Sequence, residues 1–279
     1  MTGFSPDWLA LREPADHAAR NPQVLAAVGT HFSPRASLSI VDLGCGAGSN
    51  LRGTYAALPV RQHWTLVDHD PVLLATTREI LKGWADEARE QGEELVLSKD
   101  DRTITVDTRQ ADLTKDLEWV LGWQPDLVTA AALFDLTSKT WIKRFVAALA
   151  TQRLPLYTVL TYDGREIWEP AHPVDARMLA AFKHHQHTDK GFGPAAGPDA
   201  TDIMAEAFRK SGFAVSIGDS AWRIDGQQRE LAGTLAQGIA DAVLETGHVD
   251  AGAVAEWLAA RRQSTSALVG HHDLWARPV

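Results

Sequence analysis

The stretch IVDLGCGAGSNL at residues 40–51 reads as a buried strand that ends in a glycine-rich turn. Apolar residues at positions 38, 40 and 41 are typical of a strand that is covered on both faces. Gly44, Gly46 and Gly48 remove side chains where the backbone must turn sharply and approach a ligand, and a helix is predicted to begin near Gly48. The pattern predicts an α/β fold with a ligand at the carboxyl end of this strand, although the glycines alone also suit a dinucleotide.

Two acidic residues narrow the choice of ligand. Asp42 lies two residues before Gly44, where a carboxylate disfavours a pyrophosphate and can hold an ammonium group. The second predicted strand, residues 63–67, ends at Asp68, where a carboxylate can accept hydrogen bonds from both hydroxyls of a ribose. Together these residues favour a cationic sulfonium ligand that carries a ribose over NAD.

The sequence resembles the class I S-adenosylmethionine-dependent methyltransferases, whose first motif is an acidic residue followed by a G-x-G-x-G turn. The similarity covers residues 36–163 and includes RQADL at 109–113, which resembles the family's adenine-binding segment, and PDLVTAA at 125–131, which resembles its fourth strand. It implies a Rossmann-like, doubly wound, mostly parallel sheet with an antiparallel last strand, S-adenosylmethionine as the cofactor, and methyl transfer as the activity. The implied cofactor-binding residues are Asp42, Gly44, Gly46, Asp68, Asp112, Leu113 and Ala131.

Length, charge and composition agree with a soluble enzyme. The chain has 279 residues, of which 45% are hydrophobic, and it is long enough for one large core with a cap. A formal charge of −9 opposes binding to a nucleic-acid backbone. Because the sequence shows neither an apolar run of about 18–20 residues nor a signal peptide, we expect a cytoplasmic location without membrane contact. The single cysteine, Cys45, excludes an intramolecular disulfide and a cysteine metal cluster.

Strands and helices alternate in the core, and two inserted segments follow it. In the core, a helix is predicted from Val72 to Glu90, followed by a hairpin with strands near 95–97 and 104–106. The predicted fifth strand is residues 156–161. Because ligands bind beyond the carboxyl ends of the strands, a segment inserted directly after this strand lies over the ligand pocket, and helical cap insertions are expected over the substrate. The predicted segments are an N-terminal helical lid (1–35), the cofactor-binding core (36–163), a cap insertion (164–198), a continuation of the core (199–225), a helical insertion (226–263) and the last core strand (264–279).

The N-terminal segment leaves the role of Arg20 open. Pro14 is predicted to start a helix that runs to about Phe32. Asp16 and Arg20 are then four residues apart on one helix face, and a surface ion pair is the simplest role for them. The alternative, which the family resemblance allows, is that Arg20 binds the carboxylate of the cofactor's methionine part.

Three residues after the fifth strand are candidates for a catalytic base. Asp163 directly follows that strand, and Gly164 and Arg165 after it allow a tight turn and recognition of an acidic group. His184 and His187 lie in a segment crowded with titratable groups, and histidine can take up a proton near neutral pH. The alternatives are a turn-forming aspartate and a solvated helix end whose histidines interact with the helix dipole.

Two histidine-containing groups raise the question of a metal. One consists of His184, His187 and Asp189, and the other lies at residues 271–273, which read HHD. Because His271 and His272 fall in a predicted strand and point to opposite faces, both cannot bind one ion from the same side. We therefore expect no metal.

These features favour methyl transfer from S-adenosylmethionine to an oxygen or nitrogen atom of a small soluble molecule. Most of the rate in such a displacement comes from alignment of the acceptor, methyl and sulfur, so no single catalytic side chain is indispensable. The first alternative is a methyltransferase that acts on protein or RNA. The second is a protein that binds the cofactor without transferring methyl.

Overall fold

A ten-stranded sheet runs through the part of the chain that the structure describes, residues 5–279 of a computed structural model. The strands are β1 (Ser37–Leu43), β2 (Arg61–Asp68), β3 (Glu87–Gln91), β4 (Glu94–Lys99), β5 (Arg102–Gln110), β6 (Leu127–Ala131), β7 (Leu156–Glu169), β8 (Phe213–Asp219), β9 (Trp222–Asp225) and β10 (Ser266–Pro278). The α-helices are α1 (Pro6–Ala19), α2 (Pro22–Phe32), α3 (Ser49–Thr54), α4 (Pro71–Trp84), α5 (Leu117–Leu121), α6 (Lys139–Gln152), α7 (Asp175–Gln186), α8 (Ala200–Lys210), α9 (Arg229–Thr246) and α10 (Ala251–Arg261).

The strand order confirms the predicted doubly wound sheet. Along the sheet the strands follow the order β3-β4-β5-β2-β1-β6-β7-β10-β8, and β9 pairs with β10. The five strands from β5 to β7 in this order are parallel, whereas β10 is antiparallel to β7, as predicted for the last strand. Chain order reverses between β1 and β6, and ligands of such sheets bind where the carboxyl ends of the strands flank this switch point.

Two apolar layers cover the faces of the sheet. The layer that contains Ile40 includes residues of α2, α3 and α4, and the layer that contains Val41 includes residues of α5, α6 and α8. Consecutive residues of β1 therefore enter different layers, and both are at most 2% exposed. This two-sided burial is the physical reason for the unbroken apolar run before the glycine turn. Within residues 5–279, no helix is long and apolar enough to cross a membrane.

The edge of the sheet beyond β5 differs from the prediction. Helix α4 ends at Trp84 instead of Glu90, and residues 87–91 form β3, which pairs antiparallel with β4. Gly92, at a φ of +64°, allows the tight turn between these two strands. All five residues of β3 are exposed, so backbone hydrogen bonds to β4 override the helix-forming side chains of this segment. The predicted hairpin of β4 and β5 is confirmed.

The N-terminal segment forms two helices, and the predicted helix start at Pro14 is wrong. Helix α1 is capped by the hydroxyl of Ser5 and continues through Pro14 to Ala19. Arg12 then pairs with Asp16 at 2.9 Å, four residues further on, and the predicted pair between Asp16 and Arg20 does not form. Helix α1 packs against β9 and α9, and its role as a lid stays a prediction.

The fifth parallel strand, β7, is much longer than predicted. It continues past Asp163 to Glu169, and its outer part pairs with residues 266–271 of β10. Residues 266–269 of β10 also pair with β9. We call residues 162–169, 222–225 and 266–271 the outer wall. Helix α7 packs on α9, and α9 packs on α10, so the helices of both insertions form one cap beside this wall.

Candidate functional site

The glycine turn after β1 has a backbone that only glycine adopts without strain. Gly44, Gly46 and Gly48 have φ values of +63°, +52° and +73°. A Cβ on Gly48 would lie 2.8 Å from Thr77 Cγ2, and a Cβ on Gly46 would lie 3.3 Å from Leu9 Cδ1 of α1. The turn thus presents bare backbone at the carboxyl end of β1, and the lid helix lies across it.

Asp42 is a fully buried carboxylate directly before the turn. Its Oδ1 accepts hydrogen bonds from Asn50 Nδ2 at 2.6 Å and from Thr129 Oγ1 at 2.7 Å, whereas its Oδ2 has no partner within residues 5–279. Burial raises the pKa of Asp42 to about 6, and the two hydrogen bonds oppose this rise. A buried carboxylate oxygen without a partner fits the ammonium group that the sequence predicts for this position.

Asp68 connects the end of β2 to the glycine turn. Its Oδ2 accepts a hydrogen bond from the backbone N–H of Gly46 at 2.9 Å, and its Oδ1 accepts one from the N–H of Asp70 at 3.0 Å. Asp70 in turn caps α4 by accepting from the N–H of Val72 at 2.8 Å, as its position before Pro71 predicts. We call Asp42, residues 44–48 and Asp68 the glycine edge.

The predicted adenine segment follows β5. The carboxylate of Asp112 accepts hydrogen bonds from Thr114 Oγ1 at 2.6 Å and Lys115 Nζ at 2.7 Å, and the Lys115 bond is the main reason why its pKa is lowered to about 2. Leu113 is buried, and its carbonyl accepts from Trp141 Nε1 at 3.0 Å. Asp112 is thus ionised and 40% exposed, with its carboxylate held in a local turn.

Arg20 lies in the protein interior close to Asp42. Its guanidinium donates to Thr54 Oγ1 at 2.8 Å and to Asn50 Oδ1 at 3.0 Å, and Asn50 donates to Asp42. Gly53 makes room for it, because a Cβ there would lie 2.6 Å from the guanidinium carbon. The structure connects Arg20 to the glycine edge through one side chain, and its contact with the cofactor stays a prediction.

Asp163 is held within the outer wall. Its Oδ1 accepts from the N–H of Arg165 at 2.9 Å, and its Oδ2 accepts from the guanidinium of the same residue. Gly270 on β10 makes room for this carboxylate, because a Cβ there would lie 2.1 Å from Asp163 Oδ1. Asp163 is therefore a packed, paired residue inside a continuous strand and not the first residue of a turn after it.

His184 and His187 contact other parts of the cap. The ring of His184 lies 4.6 Å from that of His248, and His187 Nδ1 lies 3.2 Å from the carbonyl oxygen of Ala195. Both histidines are exposed, and no hydrogen bond or ring contact joins them to the glycine edge in the described chain. The catalytic role of Asp163, His184 and His187 stays a prediction.

Asp135 is a buried acid of the site that the sequence reasoning missed. It lies in a 3₁₀ turn, Phe134–Leu136, shortly after β6 and at the same edge of the sheet as Asp42 and Asp68. It is 9% exposed, and its Oδ1 has no hydrogen-bond partner in the described chain. Burial raises its pKa to about 6. The signal in the sequence is a carboxylate four residues beyond the end of the fourth parallel strand.

The outer wall places aromatic rings beside the lid helix. Trp222 donates through Nε1 to Asp16 Oδ1 at 3.0 Å, and the Arg12 guanidinium lies 5.0 Å from its ring centroid. The ring of His271 lies 5.2 Å from that of Trp222 and 6.3 Å from that of Tyr162. Burial lowers the pKa of His271 to about 3, so its ring is neutral at physiological pH. These side chains come from four separate parts of the sequence.

Two non-glycine residues adopt a left-handed backbone where β6 and β7 pass the glycine edge. Ala132 has a φ of +49° and Leu160 a φ of +59°, conformations that cost free energy for residues with a Cβ. The Leu160 N–H donates to Asp273 Oδ1 at 3.0 Å, and Asp273 Oδ2 accepts from the N–H of Asn21 at 2.8 Å. One buried carboxylate of β10 thus holds both this bulge of β7 and the start of α2.

Neither histidine group considered in the sequence forms a metal cluster within residues 5–279. His271 and His272 are consecutive residues of β10, as predicted. A different group, His63, Glu94 and Asp107, has ligand atoms within 4.8 Å of one another, on β2, β4 and β5. There, His63 Nε2 lies 2.7 Å from Asp107 Oδ2 and forms an ordinary ion pair when protonated.

Solved structures of other proteins share this fold over most of the chain. The YcgJ protein from Bacillus subtilis has a TM-score of 0.50 and 11% sequence identity, over 92% of this chain and 99% of that protein. A candidate methyltransferase from Bacillus halodurans has a TM-score of 0.50 and 12% identity, over 92% of this chain and 100% of that protein. No protein-family model and no curated protein matches the sequence. The order of strands, the antiparallel last strand and the glycine turn after β1 together give the chain the Rossmann-like fold of the class I S-adenosylmethionine-dependent methyltransferases.

Proposed function

We propose that this protein transfers a methyl group from S-adenosylmethionine to an oxygen or nitrogen atom of a small molecule. The observation that carries the proposal is the glycine edge. Bare backbone at Gly44 and Gly46 lies between the Asp42 carboxylate, which has an oxygen without a protein partner in the described chain, and the Asp68 carboxylate. The likeness to methyltransferase folds supports the same assignment.

The residues present fit the cofactor group by group. Asp42 would hold the methionine ammonium by charge and hydrogen bonding, and Arg20, which is linked to Asp42 through Asn50, would bind the methionine carboxylate. Asp68 would accept from the ribose hydroxyls, because each of its oxygens uses only part of its accepting capacity on backbone N–H groups. Asp112, Leu113 and Ala131 would line the adenine side. The bound cofactor supplies an electrophilic methyl group on a positively charged sulfur.

The lid and the outer wall favour a small acceptor. Helix α1 lies across the glycine turn, and it packs against β9 of the wall. A methyl acceptor must therefore fit beside a turn that α1 already covers on one side. A protein or RNA acceptor would need an open groove, and the formal charge of −9 further disfavours RNA.

Calorimetric titration with S-adenosylmethionine, S-adenosylhomocysteine and NAD tests the proposal. We expect the first two to bind with a Kd of about 1 μM, which corresponds to about 8 kcal/mol, and NAD not to bind. Binding of NAD alone would overturn the assignment of Asp42. Tight cofactor binding without methylation of any member of an amine and alcohol library would favour the protein that binds the cofactor without transferring methyl.

A further inference from the structure

Asp135 is the strongest unexplained polar group beside the glycine edge. A buried carboxylate without a partner for one oxygen destabilises the folded protein, and native structures rarely retain one without a use. Asp135 is in this position because β6 ends at Ala131 and the following 3₁₀ turn brings its side chain inside. The turn packs against β7 and α8, so the carboxylate is fixed by the sheet and not by a mobile loop.

The basic side chain whose charge acts on Asp135 is already neutralised. Arg12 of α1 acts on Asp135 through its charge, and the backbone N–H of Tyr162 on β7 stabilises the ionised form. Arg12, however, donates through both Nε and Nη2 to the carboxylate of Asp16, at 2.9 and 3.1 Å. The ion pair of Arg12 and Asp16 has no net charge, so the negative charge of Asp135 is left without a full counterion in the described chain.

His271, on β10 of the outer wall, is a second buried polar residue with an atom that lacks a hydrogen-bond partner in the described chain. It is 6% exposed, and its Nδ1 has no hydrogen-bond partner within residues 5–279. Its ring touches the same Tyr162 whose backbone faces Asp135, and the same Arg12 acts on it through charge. Two buried groups from β10 and the turn after β6 thus offer unpaired atoms around Tyr162 and Arg12.

We propose that Asp135 is a catalytic residue that accepts a hydrogen bond from the amine of the methyl acceptor and stabilises the positive charge that develops on its nitrogen, so that the acceptor is a small primary or secondary amine. This inference rests on the proposed function and assigns its acceptor class. The nitrogen lone pair forms a bond to the methyl carbon, and the methyl–sulfur bond breaks with its electron pair remaining on sulfur. The methylated nitrogen then carries a positive charge and an N–H, and this ammonium product donates to Oδ1 of Asp135 as an ion pair until it leaves with its proton.

The chemistry of the carboxylate favours an amine over an alcohol. An alcohol loses its proton during attack and gives a neutral ether, so it offers the carboxylate no positive charge to stabilise. An amine attacks with its own lone pair, and the ammonium product forms an ion pair with the carboxylate. The rings of Tyr162 and Trp222 add a surface that attracts an ammonium group.

Binding of matched fragments to the protein saturated with S-adenosylhomocysteine tests this assignment. The probes are ethylamine and benzylamine, their N,N-dimethyl derivatives, and ethanol and benzyl alcohol, observed by ligand-detected NMR. At least one amine should bind the wild-type protein, and its affinity should fall 10-fold or more in Asp135→Asn and Asp135→Leu. The corresponding alcohol should bind at least 10-fold more weakly than the amine. With S-adenosylmethionine in place of the product, the same amine should be methylated, and kcat should fall 100-fold or more in Asp135→Asn.

Two controls separate this inference from the proposed function. S-adenosylhomocysteine should bind Asp135→Asn as tightly as it binds the wild-type protein. If S-adenosylhomocysteine does not bind the wild-type protein at all, the proposed function itself is wrong. Asp107→Asn replaces another buried carboxylate, that of Asp107 on β5, which pairs with His63 on β2. This variant should leave amine binding unchanged. Equal amine binding by wild type and both Asp135 variants, or no amine binding at all, would show that Asp135 does not bind the acceptor.

Discussion

The glycine edge and the outer wall differ in how completely their polar groups are paired. At the glycine edge, both oxygens of Asp68 accept backbone N–H groups, and only Asp42 keeps one free oxygen in the described chain. At the outer wall, His271 keeps a buried atom without a partner within residues 5–279, and so does Asp135, whose 3₁₀ turn packs against β7. Unpaired buried groups cost stability, so the second region carries a cost that we propose a ligand offsets.

The largest expected effect is a gain in stability when the unpaired carboxylate of Asp135 is removed. Asp135→Asn should raise the free energy of unfolding at pH 7 by up to about 3 kcal/mol, because burial raises the pKa of Asp135 to about 6 from 3.8, and about 1.4 kcal/mol corresponds to each unit. Between pH 4 and pH 6 the native state binds this proton and the unfolded state does not, so the wild type loses stability relative to the variant as the pH rises. Urea unfolding of both proteins at pH 4 and pH 7 measures the difference.

The matched control for stability is Asp68→Asn. It removes a carboxylate oxygen that accepts a backbone N–H, so it should destabilise the protein at both pH values. If Asp135→Asn were less stable than the wild type at pH 7, the contrast between the two regions would be wrong.

A smaller effect concerns cofactor affinity at the glycine edge. Asp68→Ala should weaken S-adenosylmethionine binding by about 1.5–3 kcal/mol, or roughly 10- to 150-fold, because two hydrogen bonds to the ribose are lost. The anchor of the Gly46 N–H is lost with them. Calorimetry with S-adenosylmethionine measures the change, and circular dichroism checks that the variant is folded. Unchanged affinity would remove the ribose assignment of Asp68.

The smallest expected effect compares the contributions of Asp112 and Asp68 to cofactor affinity. Asp112→Ala should weaken S-adenosylmethionine binding by only about 0.5–1.5 kcal/mol. The carboxylate of Asp112 is 40% exposed and pairs with Lys115, so an adenine amino group gains little from replacing that contact. The same calorimetric titration gives the answer, and a loss as large as that of Asp68→Ala would place the main cofactor contact on the adenine side.

The sequence predicted the glycine edge because its signals are local. Asp42, the three glycines and Asp68 fall within 27 consecutive positions, and their geometry follows from a strand, a turn and the next strand. The parallel sheet and its antiparallel last strand, which the resemblance to the methyltransferases implied, are also confirmed. The helix capped by Asp70 is a further local feature that the structure confirms.

The outer wall could not be predicted because its contacts join distant segments. The strand β7 continues past Asp163 only because β10 pairs with its outer half, about a hundred residues further along the chain. The helix α1 runs through Pro14 because its side chains pack on Trp222, and a local rule for proline cannot include that contact. Asp135 was missed because its burial is a tertiary property, although its place after β6 was visible.

The bond between Asp273 and the N–H of Asn21 has a consequence for biosynthesis. The two residues are 252 positions apart, so a ribosome that adds about 5–20 residues per second makes Asp273 some 10–50 s after Asn21. During that time the start of α2 has an N–H without its final acceptor, and Leu160 lacks the bond that holds its left-handed backbone. The junction of the lid helices is therefore among the first parts of the described chain to be made and among the last to reach its final hydrogen bonding.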